Sequence, residues 1–267
     1  MSGNLKVGVI GGTGQLGSAL ATGWLESGIL PQDNLWISNR SGRASAFENW
    51  PGVKCTSSNQ QLADNCDVII LSVPPAHARA IDLTAPDKLV ISVMAGVTHK
   101  QISDLTGTRK AVRAMSSPAA RHRLAYSPWY SRSDLSADDR ETVFILLSAV
   151  GTSDEVPEES HIETFTVLTG PVPGFAAFFA DCMVQYALAN NVAPETAKRA
   201  VNQLLTASSQ IMSAEGQSPA SYVQEMVDYE GTTAAGLVKL KELGVAQLIA
   251  QGLEASAERV RTIAKDT

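Results

Sequence analysis

No apolar stretch in this chain approaches the roughly 18 residues needed to cross a bilayer, so no membrane span is expected. Cysteine is scarce: Cys55, Cys66 and Cys182 are scattered and odd in number. They supply neither a disulfide framework nor a metal-ligand pair, and all three are expected to be buried thiols in a reducing compartment. The four histidines (His77, His99, His122, His161) are equally dispersed, so no metal site is expected. Cations are too few for the basic stripe that nucleic-acid binding needs: 21 Lys and Arg stand against 27 Asp and Glu, a formal net charge of -6. The few polar residues before the apolar run 5–10 do not make a signal peptide, and that run is too short for its apolar region. A cytoplasmic location is therefore expected.

What remains is an ordinary globular composition. With 44% hydrophobic and 18% charged residues the chain can bury a core, and 267 residues suffice for two domains. The first half alternates short apolar runs with helical stretches. Residues 5–10 read as a strand, 15–26 as a helix, 35–38 as a strand and 44–50 as a short helix. Further strands are expected at 53–55, 67–73, 89–93 and 111–114, a helix at 136–150 and a last edge strand at 152–156. Strands alternating with helices imply a parallel, doubly wound sheet. From about residue 160 no strand pattern remains. Phe175, Phe178, Phe179, Cys182, Met183 and Tyr186 fall at helical spacing, while Ala176, Ala177 and Ala180 occupy the other side. A helix apolar nearly all round must be covered on several sides, and a second subunit is the expected cover. Further helices are expected from Pro194, at 220–227 and 233–243, and from Val245 toward Ile263. The fold class is α/β: a Rossmann-like doubly wound sheet at 1–157, then an all-helical dimerisation domain at 158–267.

Gly12-Thr13-Gly14-Gln15-Leu16-Gly17 matches G-x-G-x-x-G directly after a strand and at the start of a helix, the setting that pattern requires. Gly12 would permit the tight turn, Gly14 would let backbone amides approach a pyrophosphate, and Gly17 would let helix and strand pack closely. The helix N-terminus favours the anion. The next strand ends in Ser38-Asn39-Arg40-Ser41, without the acid that commonly holds a ribose 2′-hydroxyl. Arg40, with Arg43 and Ser41 close by, suits a 2′-phosphate instead. NADP is the expected cofactor.

The remaining landmarks resemble pyrroline-5-carboxylate reductase across nearly the whole chain. They are Ser58-Asn59, the stretch 67–75, the stretch 91–97 with Ala95-Gly96-Val97, Val112-Arg113-Ala114-Met115, the stretch 166–175 and Gly231-Thr232-Thr233-Ala234-Ala235-Gly236. The resemblance implies NADPH-dependent reduction of a cyclic imine by hydride transfer, as in L-proline biosynthesis, by a homodimer whose C-terminal helices interlock. It implies that Asn59 contacts the adenosine ribose, that Ser72, Val73 and Pro75 line the cofactor cleft, and that Ala95 and Gly96 lie beside the nicotinamide. It places the substrate on Thr169, Gly170, Gly231, Thr232 and Thr233, with the Thr233 hydroxyl at the imine nitrogen as the catalytic group. Thr233 also reads as a helix N-cap.

Several segments depart from the family pattern. Pro74 stands where the family commonly has Lys. Met115-Ser116-Ser117-Pro118 is one residue shorter and lacks the family's Asn. Thr169-Gly170-Pro171-Val172-Pro173-Gly174 replaces a Gly- and Ser-rich turn, and Asp228-Tyr229-Glu230 precedes Gly231 in place of Ser-Pro-Gly. Inward-facing, each of the two carboxylates would repel a substrate carboxylate by roughly 3 kcal/mol at about 5 Å and an effective dielectric near 20. That points to a different imine, one bearing a second amino group.

Two other classes remain open. One is a related NADP oxidoreductase acting on another small imine or carbonyl. Among these, 3-hydroxyacid dehydrogenases need a lysine that the stretch 173–190 lacks, and deazaflavin-dependent NADP reductases share the Gly-Gly-Thr-Gly loop but not the long helical half. The other is a non-catalytic NADP-binding sensor or scaffold.

Overall fold

The computed structural model describes residues 5–43, 45–132 and 135–266. The expected short helix at 44–50 begins at Ala44, outside the described residues, and its described part is one 3-10 turn, Ser45–Phe47. The chain divides into two compact units, residues 1–172 with 255–267, and residues 173–254.

In the first unit the strands are β1 (Val7–Ile10), β2 (Leu35–Ser38), β3 (Lys54–Thr56), β4 (Val68–Leu71), β5 (Leu89–Ser92), β6 (Lys110–Ala114), β7 (Ala125–Tyr126), β8 (Trp129–Tyr130) and β9 (Gly151–Thr152). Its helices are α1 (Gln15–Ser27), α2 (Asn59–Asn65), α3 (His99–Thr106), α4 (Ala137–Ser148) and α5 (Glu159–Leu168). The main sheet runs β3-β2-β1-β4-β5-β6-β8. It is parallel from β3 to β6, and β8 closes it antiparallel.

Alternation along the strands sends side chains to two cores. Val7, Val9, Val68 and Ile70 join Trp24 of α1 and Leu146 and Leu147 of α4. Ile10, Ile69 and Leu71 join Leu62 of α2 and Ile102 of α3. Both faces are covered, as a parallel sheet requires. The buried Trp24 indole donates to the Leu146 carbonyl at 2.7 Å and ties α1 to α4.

The expected edge strand at 152–156 is a correction. Only Gly151–Thr152 is strand, and it pairs with β7 in a separate two-stranded sheet. Residues further along reach the main sheet through a single bridge at Trp129. The edge itself is β8, a two-residue strand too short to leave a period in the sequence.

A third, smaller cluster joins Met115, Val156 and Ile162, with Ala95, Tyr130 and Phe165 against it. Beside it Arg113 is buried, at 2% exposure. Its Nη1 donates to Glu159 Oε1 at 3.0 Å, and Glu163 Oε1 lies 3.6 Å from Nη2. The same Glu159 oxygen accepts the His99 backbone N–H at 2.7 Å. One carboxylate thus pins α5 to both β6 and α3. By its contacts α5 groups with the first unit.

The second unit carries α6 (Gly174–Ala189), α7 (Pro194–Glu215), α8 (Pro219–Asp228) and α9 (Thr232–Glu242); α10 (Val245–Asp266) runs on into residues of the first unit. These match the expected helices within a few residues, and among the described residues no strand follows β9. No residue of α6 is buried within the single chain: Phe178, Phe179, Met183 and Tyr186 all stand open. Cys182 on this helix is exposed and Cys55 is half-buried, which corrects the expectation of three buried thiols. Only Cys66 is buried, and burial pushes its thiol up to about 12. Among the described residues no helix is long and apolar enough to cross a membrane, and no cluster of His, Cys, Asp and Glu could hold a metal ion.

Candidate active site

Strand order reverses beside β1: the chain steps from β1 to β2 and β3 on one side, then returns to β4 on the other. A crevice opens at the carboxyl ends of the strands at such a switch point. Here it is a cleft of about 800 Å³ walled by the ends of β1, β2 and β4 and the loops that follow them.

Its floor is the Gly-rich turn. The left-handed residue is Gly11, with φ of 79°, so the tight turn belongs to the glycine before the hexamer and not to Gly12. A Cβ on Gly11 would lie 2.5 Å from the Ser72 carbonyl oxygen. Gly12 is required for closeness instead: a Cβ there would meet the Ile37 side chain at 2.7 Å. A Cβ on Gly17 would strike the Gly11 carbonyl at 2.6 Å, so α1 packs against the loop as expected. Gly14 caps α1 without any side-chain hydrogen bond, and the first turn carries no acid. The first bond of the helix runs from Ser18 N–H to Gly14 O. The amides of Gln15, Leu16 and Gly17 therefore have no intrahelical acceptor, and the helix end bears positive partial charge. This cradle fits a pyrophosphate.

The end of β2 is organised by Asn39. Its Oδ1 accepts from Ser41 N–H at 3.0 Å and from Ser41 Oγ at 2.9 Å, and its Nδ2 donates to Arg43 O at 2.7 Å. Such an Asx turn fixes a loop locally. Arg40 is exposed and lines the cleft, with no acid at the end of β2. Asn59 accepts a hydrogen bond from the Ser38 hydroxyl, which holds the start of α2 against β2.

Of the residues expected to bind cofactor, Thr13, Gly14, Asn39, Arg40, Asn59, Ser72 and Val73 line this cleft. Gly12, Gln15, Leu16, Gly17, Ser41 and Pro75 adjoin these residues in sequence and do not line the cleft themselves. Ala95 and Gly96 follow β5; Ala95 packs on the third cluster and Gly96 has φ of 75°. The sequence reading missed His77, Gln60 and Asp82, which also line the cleft. They lie outside any glycine or strand-end motif, and the only signal was their position shortly after Pro75 or Asn59.

The expected substrate residues fall in two places. Thr169 ends α5, its hydroxyl donating to Phe165 O at 3.0 Å, and a Cβ on Gly170 would meet Thr166 O at 2.6 Å. In the second unit Gly231 is the N-cap of α9 and makes no side-chain capping bond. Thr232 and Thr233 are the first helical residues and both are exposed. Thr233 is thus not the cap, contrary to that alternative reading. The first bond of α9 is Ala235 N–H to Gly231 O, so the amides of Thr232, Thr233 and Ala234 have no intrahelical acceptor.

Comparison with known proteins covers both halves. Residues 159–263 match the family described as pyrroline-5-carboxylate reductase dimerisation, and residues 6–96 match NADP oxidoreductase, coenzyme F420-dependent. Pyrroline-5-carboxylate reductase 2 of Bacillus subtilis is 29% identical over 261 residues, 95% of this chain and 93% of that protein. Among solved structures, a Coxiella burnetii pyrroline-5-carboxylate reductase superposes with a TM-score of 0.86 at 24% identity, covering 98% of this chain and 99% of that one. A Plasmodium falciparum pyrroline carboxylate reductase, solved with NADP bound, gives 0.83 at 23% identity and covers 98% of each chain. The dimerisation match over the helical half accords with the open surface of α6 and makes the chain a homodimer or larger homo-oligomer. With the nucleotide-binding turn, the helical half and the full length each matched in this way, the family that the comparisons support for this chain is that of the pyrroline-5-carboxylate reductases.

Proposed function

We propose that this protein is an NADP-dependent oxidoreductase that reduces the C=N bond of a cyclic imine, with pyrroline-5-carboxylate, the precursor of proline, as the reference substrate. It works in the cytoplasm as a homodimer joined through its C-terminal helices. The observation that carries this reading is the glycine turn at the start of α1, whose path leaves no room for a side chain: a Cβ on Gly11, Gly12 or Gly17 would collide with Ser72, Ile37 or the Gly11 carbonyl.

When bound, NADPH supplies the hydride. The chain's own residues bind and orient. The amides of Gln15, Leu16 and Gly17 hold the pyrophosphate beside Gly12, Thr13 and Gly14. Arg40 and Ser41 take the 2′-phosphate, with Asn39 bracing their loop. Asn59 meets the adenosine ribose, Ser72, Val73 and Pro75 wall the cleft, and Ala95 and Gly96 lie beside the nicotinamide. Thr169, Gly170, Gly231 and Thr232 hold the substrate. The Thr233 hydroxyl, free of a capping bond, orients the imine N–H. A cyclic imine of this type is substantially protonated near neutral pH, so no strong acid is needed, and catalysis is mainly positioning of two reactants.

NADPH oxidation assayed with pyrroline-5-carboxylate and a panel of cyclic imines and 2-oxo acids tests the reading. Turnover of an imine is expected; NADPH binding without turnover of any compound would turn the protein into a cofactor-binding scaffold. Thr233→Ala should lower kcat about a hundredfold while leaving the Kd for NADPH unchanged. Arg40→Ala should weaken NADPH binding about 10–100-fold, the worth of a charge-assisted hydrogen bond, and leave NADH binding as it was. Equal losses for both cofactors in a fluorescence titration would exclude contact with the 2′-phosphate.

A further inference from the structure

Glu230 has a φ of 57°. This is left-handed backbone, where an L side chain is disfavoured and glycine is the residue of choice. A Glu kept in such a place, one residue before the N-cap of α9, needs a reason. It is not an ion pair: among the described residues Glu230 takes part in none. Its neighbour Asp228 is differently placed, since its Oδ1 accepts from Gln224 Nε2 at 2.7 Å along the face of α8. The two carboxylates that the sequence offers as a pair are thus separated by the structure. Asp228 is held on its own helix, and Glu230 alone stands uncommitted at the head of α9.

The head of α9 would otherwise suit an anion. Gly231 makes no capping bond, the first turn has no acid, and three amides lack intrahelical acceptors. A carboxylate one residue upstream opposes a second carboxylate there and attracts a cation. We propose that Glu230 sets the substrate class, favouring a cyclic imine that carries a protonated amino group over one that carries a carboxylate. This rests on the reading above that the 231–233 segment holds the substrate. The competing explanation is that Glu230 merely complements the α9 dipole.

Three probes separate these possibilities: pyrroline-5-carboxylate, unsubstituted 1-pyrroline and 5-(aminomethyl)-1-pyrroline, each assayed by NADPH oxidation. For the native protein kcat/KM should be highest with the amine. Glu230→Gly and Glu230→Gln should each shift the carboxylate-to-amine ratio about tenfold toward the carboxylate, with 1-pyrroline nearly unaffected, and added salt should shrink the effect. Glu230→Gly alone should raise Tm, by about 2–4 °C, because only that variant relieves the backbone. An unchanged substrate ratio in both variants overturns the role of Glu230, and a fall in Tm for both points to the dipole. Failure of the native protein to turn over any of the three overturns the imine-reductase reading, and this assignment with it.

Discussion

Glu159→Ala is expected to destabilise the protein by about 3–5 kcal/mol. Removing this side chain leaves the Arg113 guanidinium buried, at 2% exposure, with Glu163 at 3.6 Å as its remaining ionic partner. Arg113 Nε already has no hydrogen-bond partner, so nothing nearby replaces what is lost. The His99 backbone N–H loses its acceptor as well. The converse change is milder. In Arg113→Met the charge and its desolvation leave together, and Glu159 keeps the His99 N–H and some solvent; a cost of about 1–2 kcal/mol is expected. Urea unfolding of both variants reads the asymmetry. Equal losses, or an Ala variant within about 1 kcal/mol of the parent, would mean that the pair is not the pin described.

Gly11→Ala should abolish measurable NADPH binding, by more than about a hundredfold. The new Cβ would sit 2.5 Å from Ser72 O and 2.9 Å from a Val73 methyl. Either the turn or the end of β4 must move, and Ser72 and Val73 are walls of the cleft. The left-handed φ adds about 1 kcal/mol of strain on its own. Gly28→Ala is the matching control. Gly28 has φ of 74°, yet a Cβ there meets nothing within 4 Å. It should show the strain, about 1 kcal/mol, with cofactor affinity intact. If both variants bind NADPH as the parent does, the Gly11 contact does not shape the cleft.

Long periodic segments were legible because one residue pattern and one structure coincide. The helix begun by Pro194 is of this kind, and the continuous apolar run that forms β4 was legible for the same reason. What escaped was short or non-local. β8 has two residues and cannot show a period, so the edge was assigned to 152–156. α5 has no cap bond from its N-cap residue and is anchored through Arg113, a contact between distant positions. In the cleft, the two adjacent glycines of Gly11-Gly12 offer the pattern two ways to carry the turn, and only backbone angles separate them. His77 and Asp82 lie on or just after a 3-10 turn and enter the cleft through the path of the chain. Cys182 misled because its apolar helix stands open within the single chain, the cover expected for it being a second subunit.

That open helix has a thermodynamic consequence. A chain whose α6 has no fully buried residue by itself cannot reach its full stability alone, so assembly and folding become a single concentration-linked equilibrium. Dilution then acts on this protein as a mild denaturant, and a melting temperature describes it only when the protein concentration is stated.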